Sequence, residues 1–146
     1  MMFFKVVYYF IGLIFVFIEL AKLSKVESYV RKITDYSSWT KMRKKKGEST
    51  DWEDTPEELK SYMLIILIYF ILTLIWMGIG LLTFNWGFVL SYFILMMIVT
   101  KISPKKPKYS KGVVYLTTFW IFFNISFYLF LIINTFHLHI KFLELF

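Results

Sequence analysis

The residues of this chain that could do chemistry are few and stand among apolar neighbours. Glu19 is the one acid inside an apolar run. Such a carboxylate could serve as a proton or cation site, or pair with a positive residue of another protein; Lys22, three residues on, offers a local ion pair instead. A charge costs about 3 kcal/mol to insert at the centre of a membrane helix and less towards its ends, so the local pair at an interface is the expected arrangement. Lys5, Tyr9, Gly12, Val16 and Glu19 follow one another at three- and four-residue steps and share a helix face. That stripe is expected to face protein, with Lys5 leading its ammonium outward along its alkyl stem. Thr117, Trp120, Asn124, Phe127, Leu131 and Asn134 form a second seam. Lipid tails offer its two asparagines no partner, so they should point inward, where Asn124 can make an interhelical hydrogen bond of roughly 0.6 to 2 kcal/mol. Gly87 and Ser91, four apart, are a small-residue pair that lets a neighbouring helix approach.

Other chemistries find no support. His137 and His139 stand near Glu144, but two residues apart on a helix they point about 200° from each other, and a metal needs more converging ligands. Two histidines on one terminal segment do not suit haem held between facing helices. Phosphate loops, nucleophile elbows and metalloprotease motifs are missing, as are paired intramembrane acids. The expectation is a non-enzyme without metal or cofactor.

The elements that hold these residues are transmembrane helices. Ser61 to Thr100 runs forty residues without Lys, Arg, Asp, Glu or His. As one helix it would be roughly 60 Å long, about twice a bilayer's hydrocarbon thickness, so it must fold back. Gly78-Ile79-Gly80 and Thr83 to Gly87 mark the turn of this tight central hairpin. Ahead of it, Thr55-Pro56-Glu57-Glu58 predicts a helix start with Thr55 as N-cap and Pro56 at the first helical position. After it, Ser103-Pro104 and Pro107 predict a stop. Gly112 to Ile140 is a further uncharged run, and Met1 to Leu20 reads as an uncleaved helix because Glu19 to Lys22 lacks a signal-peptidase pattern. Leu20, Leu23, Val26, Val30 and Ile33 continue the first helix as an amphipathic extension. The predicted fold is an all-α integral membrane protein, a single four-helix domain over 1-146 with spans 2-20, 62-81, 84-101 and 113-136 and a cytoplasmic loop 21-60.

Composition agrees. The chain is 58% hydrophobic and 22% aromatic, above the globular norm, and has no cysteine to indicate a redox compartment. Its net charge of +7 could suggest nucleic acid, but fifteen of the seventeen Lys and Arg fall in segments 21–60 and 101–111, the positive-inside pattern. Both basic segments are therefore expected in the cytoplasm, with both termini outside and no nucleic-acid partner. Within the first segment Lys41, Arg43, Lys44, Lys45 and Lys46 precede the acidic Asp51 to Asp54 and could contact anionic lipid, although such a run commonly serves only as a solvated, topology-setting loop. One alanine and two arginines against fifteen lysines suit an AT-rich genome, hence a bacterial inner membrane, with an organelle inner membrane or a phage-infected host membrane as alternatives.

In outline, a small aromatic-rich four-span protein with short outer turns and basic inner loops resembles membrane immunity proteins against pore-forming bacteriocins and accessory subunits of membrane complexes. That resemblance covers no motif and assigns no residue a role. It implies an interaction protein that binds or regulates another membrane protein. The alternative is an oligomeric channel, pore-forming or small transporter unit, which needs polar groups at several depths, whereas the hairpin arms offer only Thr73, Ser91 and glycines.

Overall fold

The computed structural model describes residues 2–102 and 108–145. Among them are five α-helices and no strand: α1 (Met2–Ser24), α2 (Val26–Lys45), α3 (Glu57–Leu81), α4 (Trp86–Ile102) and α5 (Lys111–Ile133). A π-helical turn at Asn134–Leu138 and a short 3-10 turn at Phe142–Leu145 follow. Three helices are long and apolar enough to cross a membrane, namely α1, α3 and α5, the last continued through its π turn. Helix α4 is apolar but has seventeen residues, about 25 Å against a hydrocarbon core of about 30 Å.

The amphipathic extension of the first helix is a helix of its own. Lys25 leaves helical geometry at φ −128° and ψ 31°, which breaks α1 from α2. The bend lets α2 pack against α5 and bury Val30 and Thr34; Thr34 satisfies its hydroxyl on the carbonyls of Val30 (3.0 Å) and Arg31 (2.8 Å). Segment 21–60 is thus largely helical rather than a loop. Its helix ends at Gly47, whose φ of 68° favours glycine, with Gly47 N–H donating to Lys44 O and Glu48 N–H to Arg43 O. Arg43, Lys44 and Lys45 in the last turn complement the helix dipole.

The start of α3 also departs from expectation. Thr55 is buried and donates its hydroxyl to Asp51 O at 3.2 Å, so it does not cap the helix. Pro56, with ψ 138°, is the residue before the first turn rather than in it. The turn from Asp51 to Thr55 has taken the hydroxyl that a capping box needs, and Glu57 and Glu58 complement the helix N-terminus by charge instead. The turn between α3 and α4 is where the glycines placed it: Thr83 binds Gly80 O through both N–H (3.2 Å) and hydroxyl (2.7 Å). Ser110 caps α5 by accepting from Val113 N–H at 3.3 Å; the helix stop expected at 103–107 lies outside the described residues.

The core lies where α1, α3 and α5 meet near the hairpin turn. Trp76 stacks on Tyr8 with centroids 4.6 Å apart and meets Phe15 and Tyr128 edge-on at 5.5 and 5.3 Å. Its indole N–H donates to Tyr8 O at 2.8 Å, satisfying the group that burial would otherwise strand. Gly12 makes this possible: a Cβ there would stand 2.9 Å from Trp76 Cζ2 and 2.8 Å from Ile132 Cδ1. The buried face of α1 is therefore Tyr8, Gly12, Phe15, Val16 and Glu19; Tyr9 is exposed and Lys5 half-buried, with Nζ 5.9 Å from the Phe84 ring centroid. The predicted stripe is rotated slightly, because the face is set by the aromatic core and not by the charged ends.

Candidate functional site

Only Trp76, Met77 and Gly80 of α3 are buried, all near the hairpin turn. Towards its other end α3 stands away from α5, leaving a cleft of about 530 Å³ whose walls come from all five helices. Most of the lining is apolar. The polar groups inside it include Glu19, Lys22, Tyr69, Tyr92, Asn124 and Tyr128, with Thr73 and Thr117, while Lys25, Ser28, Tyr29, Lys32 and Tyr62 line its α2 end.

Glu19 is 1% exposed, and one oxygen, Oε1, accepts from both Lys22 Nζ (2.8 Å) and Tyr69 Oη (2.5 Å). Lys22 Nζ also sits 3.7 Å from the Tyr69 ring centroid. The i,i+3 pair expected from sequence is present, but its carboxylate is buried and tied across to α3, while Lys22 is half-buried. The second oxygen, Oε2, is buried with no hydrogen-bond partner among the described residues. An ion pair taken from water needs its remaining lone pairs satisfied to offset desolvation, and this one is left incomplete. Tyr69 and Tyr128 hydroxyls approach to 3.5 Å, and Tyr92 donates to Asn124 Oδ1 at 2.9 Å. At the α2 end of the cleft, burial pushes the Tyr29 phenol above its usual range, with the Glu19 carboxylate adding to the effect.

A second polar cluster ties the hairpin turn to the end of α5. Asn134 donates to Asn85 Oδ1 (2.7 Å) and Ile140 O (2.9 Å) and accepts from Ile140 N–H (2.8 Å). Asn85 in turn donates to Thr135 Oγ1 at 2.6 Å, and that hydroxyl donates to Leu131 O at 2.7 Å. All three side chains are fully buried, and the chain of donors is almost closed. It is a lock, with little left over for a ligand.

The remaining predicted residues are dispersed. Gly87 is buried, but what approaches it is the Phe142 ring from the C-terminal tail, not a neighbouring helix. Ser91 is exposed and spends its hydroxyl on Gly87 O at 2.9 Å. Thr117 is half-buried at the cleft. His137 is exposed, His139 adopts φ 55° with its ring edge-on to Phe84, and among the described residues no three His, Asp or Glu come together. In the basic run Arg43 pairs with Glu48 (3.3 Å) and Asp54 (3.8 Å), while Lys41, Lys44, Lys45 and Lys46 are exposed. Sequence reasoning placed Asn85 only in the turn Thr83 to Gly87 and did not single out Thr135, Tyr69, Tyr92 or Tyr128. Asn85 had a visible signal, as the only amide in the forty-residue uncharged run. The tyrosines had none, since their spacing does not say which of them meet. No protein-family model, no curated protein and no solved structure matches this chain.

Proposed function

We propose that the chain is a non-catalytic multi-pass membrane protein that binds and regulates another membrane protein, its cleft receiving a transmembrane segment of that partner. The observation that carries this reading is the Glu19 carboxylate, buried in the wall of the cleft with Oε2 unpartnered. Lipid tails cannot supply the missing donor; a Ser, Thr, Lys or Arg on an incoming helix can. The long uncovered face of α3 beside it provides apolar surface for such a helix to pack on. In this reading α4 is the fourth crossing, returning antiparallel to α3, with the basic segments in the cytoplasm and both termini outside.

The test begins with mild-detergent purification of the tagged chain from its native membrane. A stoichiometric membrane protein is expected to co-purify and to be lost when Thr73→Trp fills the cleft, with helical content unchanged. Recovery of the same protein regardless of the cleft substitution would reject the site. A lone homo-oligomer that passes ions after reconstitution into liposomes would reject the function and favour a channel or transporter.

A further inference from the structure

A second hollow, of about 790 Å³, lies between α2 and α3, on the far side of Tyr29 and Ile66 from the cleft. Its apolar lining is Ile33 of α2 with Met63 and Ile66 of α3, and Tyr29, Tyr36, Ser37 and Thr40 of α2 complete the wall. Its rim is basic: Lys41, Lys44 and Lys45 line it, and none of them forms an ion pair among the described residues. Three of the acids nearest in sequence to this rim are directed elsewhere. Glu48 and Asp54 are held by Arg43, and Asp35, nine residues before Lys44, falls roughly 180° around α2 from it. The carbonyls that would repel an anion at the end of α2 are also occupied, Arg43 O and Lys44 O each accepting a backbone N–H from the following turn. Because α3 is one of the helices long and apolar enough to cross a membrane, and Met63 and Ile66 lie in its first turns, the apolar floor continues into its apolar flank and the lysines stand at its polar end.

We propose that this hollow binds one anionic phospholipid, its headgroup phosphate held by Lys41, Lys44 and Lys45 and one acyl chain laid along Ile33, Met63 and Ile66. A polybasic surface alone attracts any anionic membrane, roughly fivefold in affinity per lysine. The groove adds an apolar slot that only a chain-bearing anion fills. The site shares the Tyr29 and Ile66 wall with the cleft but does not depend on the partner proposed for it.

The experiment titrates the delipidated, detergent-purified full chain with phosphatidylglycerol or phosphatidylcholine and counts retained lipid by native mass spectrometry. One phosphatidylglycerol per chain should persist where phosphatidylcholine does not. Replacing all three lysines, K41Q/K44Q/K45Q, should weaken it on the order of a hundredfold. Lys46→Gln, outside the hollow, should change it little, and Ile33→Trp should abolish the single retained lipid with every lysine in place. Helical content by circular dichroism checks each variant, and the three single lysine substitutions stand in if the triple one fails to fold. Equal retention of the two lipids overturns the proposal, as does full binding by the lysine variants. A loss on Lys46→Gln as large as on the others would mean diffuse charge attraction. Normal binding by Ile33→Trp together with displacement by inorganic phosphate would mean a phosphate site without a lipid slot.

Discussion

Removing the Asn134 side chain should loosen the hairpin turn from the end of α5. Asn134→Ala deletes three hydrogen bonds and leaves Asn85 Oδ1 and both backbone groups of Ile140 without those partners. An interhelical hydrogen bond in a membrane protein is worth about 0.6 kcal/mol on average and about 1.7 at most. A buried polar group stranded by loss of its partner costs about 1–3 kcal/mol. The cluster sits at the end of the bundle, where water can reach some of the released groups once the tail moves, so the full sum will not be realised. A loss of about 2–4 kcal/mol is expected. Asn85→Ala removes the shared bond and also the one to Thr135. The two substitutions should therefore be non-additive, with a coupling of about 1 kcal/mol or more in a double-mutant cycle. Unfolding in mixed micelles of increasing sodium dodecyl sulfate, followed by far-ultraviolet circular dichroism, measures all four corners. Additive effects, or a cost for Asn134→Ala below about 0.5 kcal/mol, would refute the claim that this lock holds the two ends together.

Three further outcomes follow from the packing. Gly12→Val should destabilise the bundle by about 1–3 kcal/mol in the same assay and shift the fluorescence of Trp76, because the new side chain meets Trp76 and Ile132. Gly87→Ala should displace the Phe142 ring and make the tail after Leu138 more sensitive to protease, with little change in overall helical content. Reporter fusions after residues 24, 84 and 102 should give cytoplasmic, external and cytoplasmic signals; equal signals at 84 and 102 would make α4 a re-entrant or interfacial helix and remove the fourth crossing.

The helical part of the architecture was legible because long uncharged runs obey strong rules. Forty residues without charge must be helical and must turn back, and Gly78, Gly80 and Thr83 mark where. Glu19 with Lys22 marks an ion pair by spacing alone. Thr55 and Pro56 were misleading because a local signal was claimed by a different local partner, the Asp51 carbonyl. Lys25 was opaque in another way: nothing in its type announces a break, which serves the packing of Val30 and Thr34 on α5. The candidate sites depend on distances between segments that no periodicity encodes. Tyr69 reaches Glu19 across fifty residues, Asn85 reaches Thr135 across fifty and Trp76 reaches Tyr8 across sixty-eight. Helical spacing tells which residues share a face of one helix. Which faces meet, and whether they close over each other or stand apart as α3 does from α5, is decided by the packing of bulky rings around Gly12, and so only by the tertiary structure.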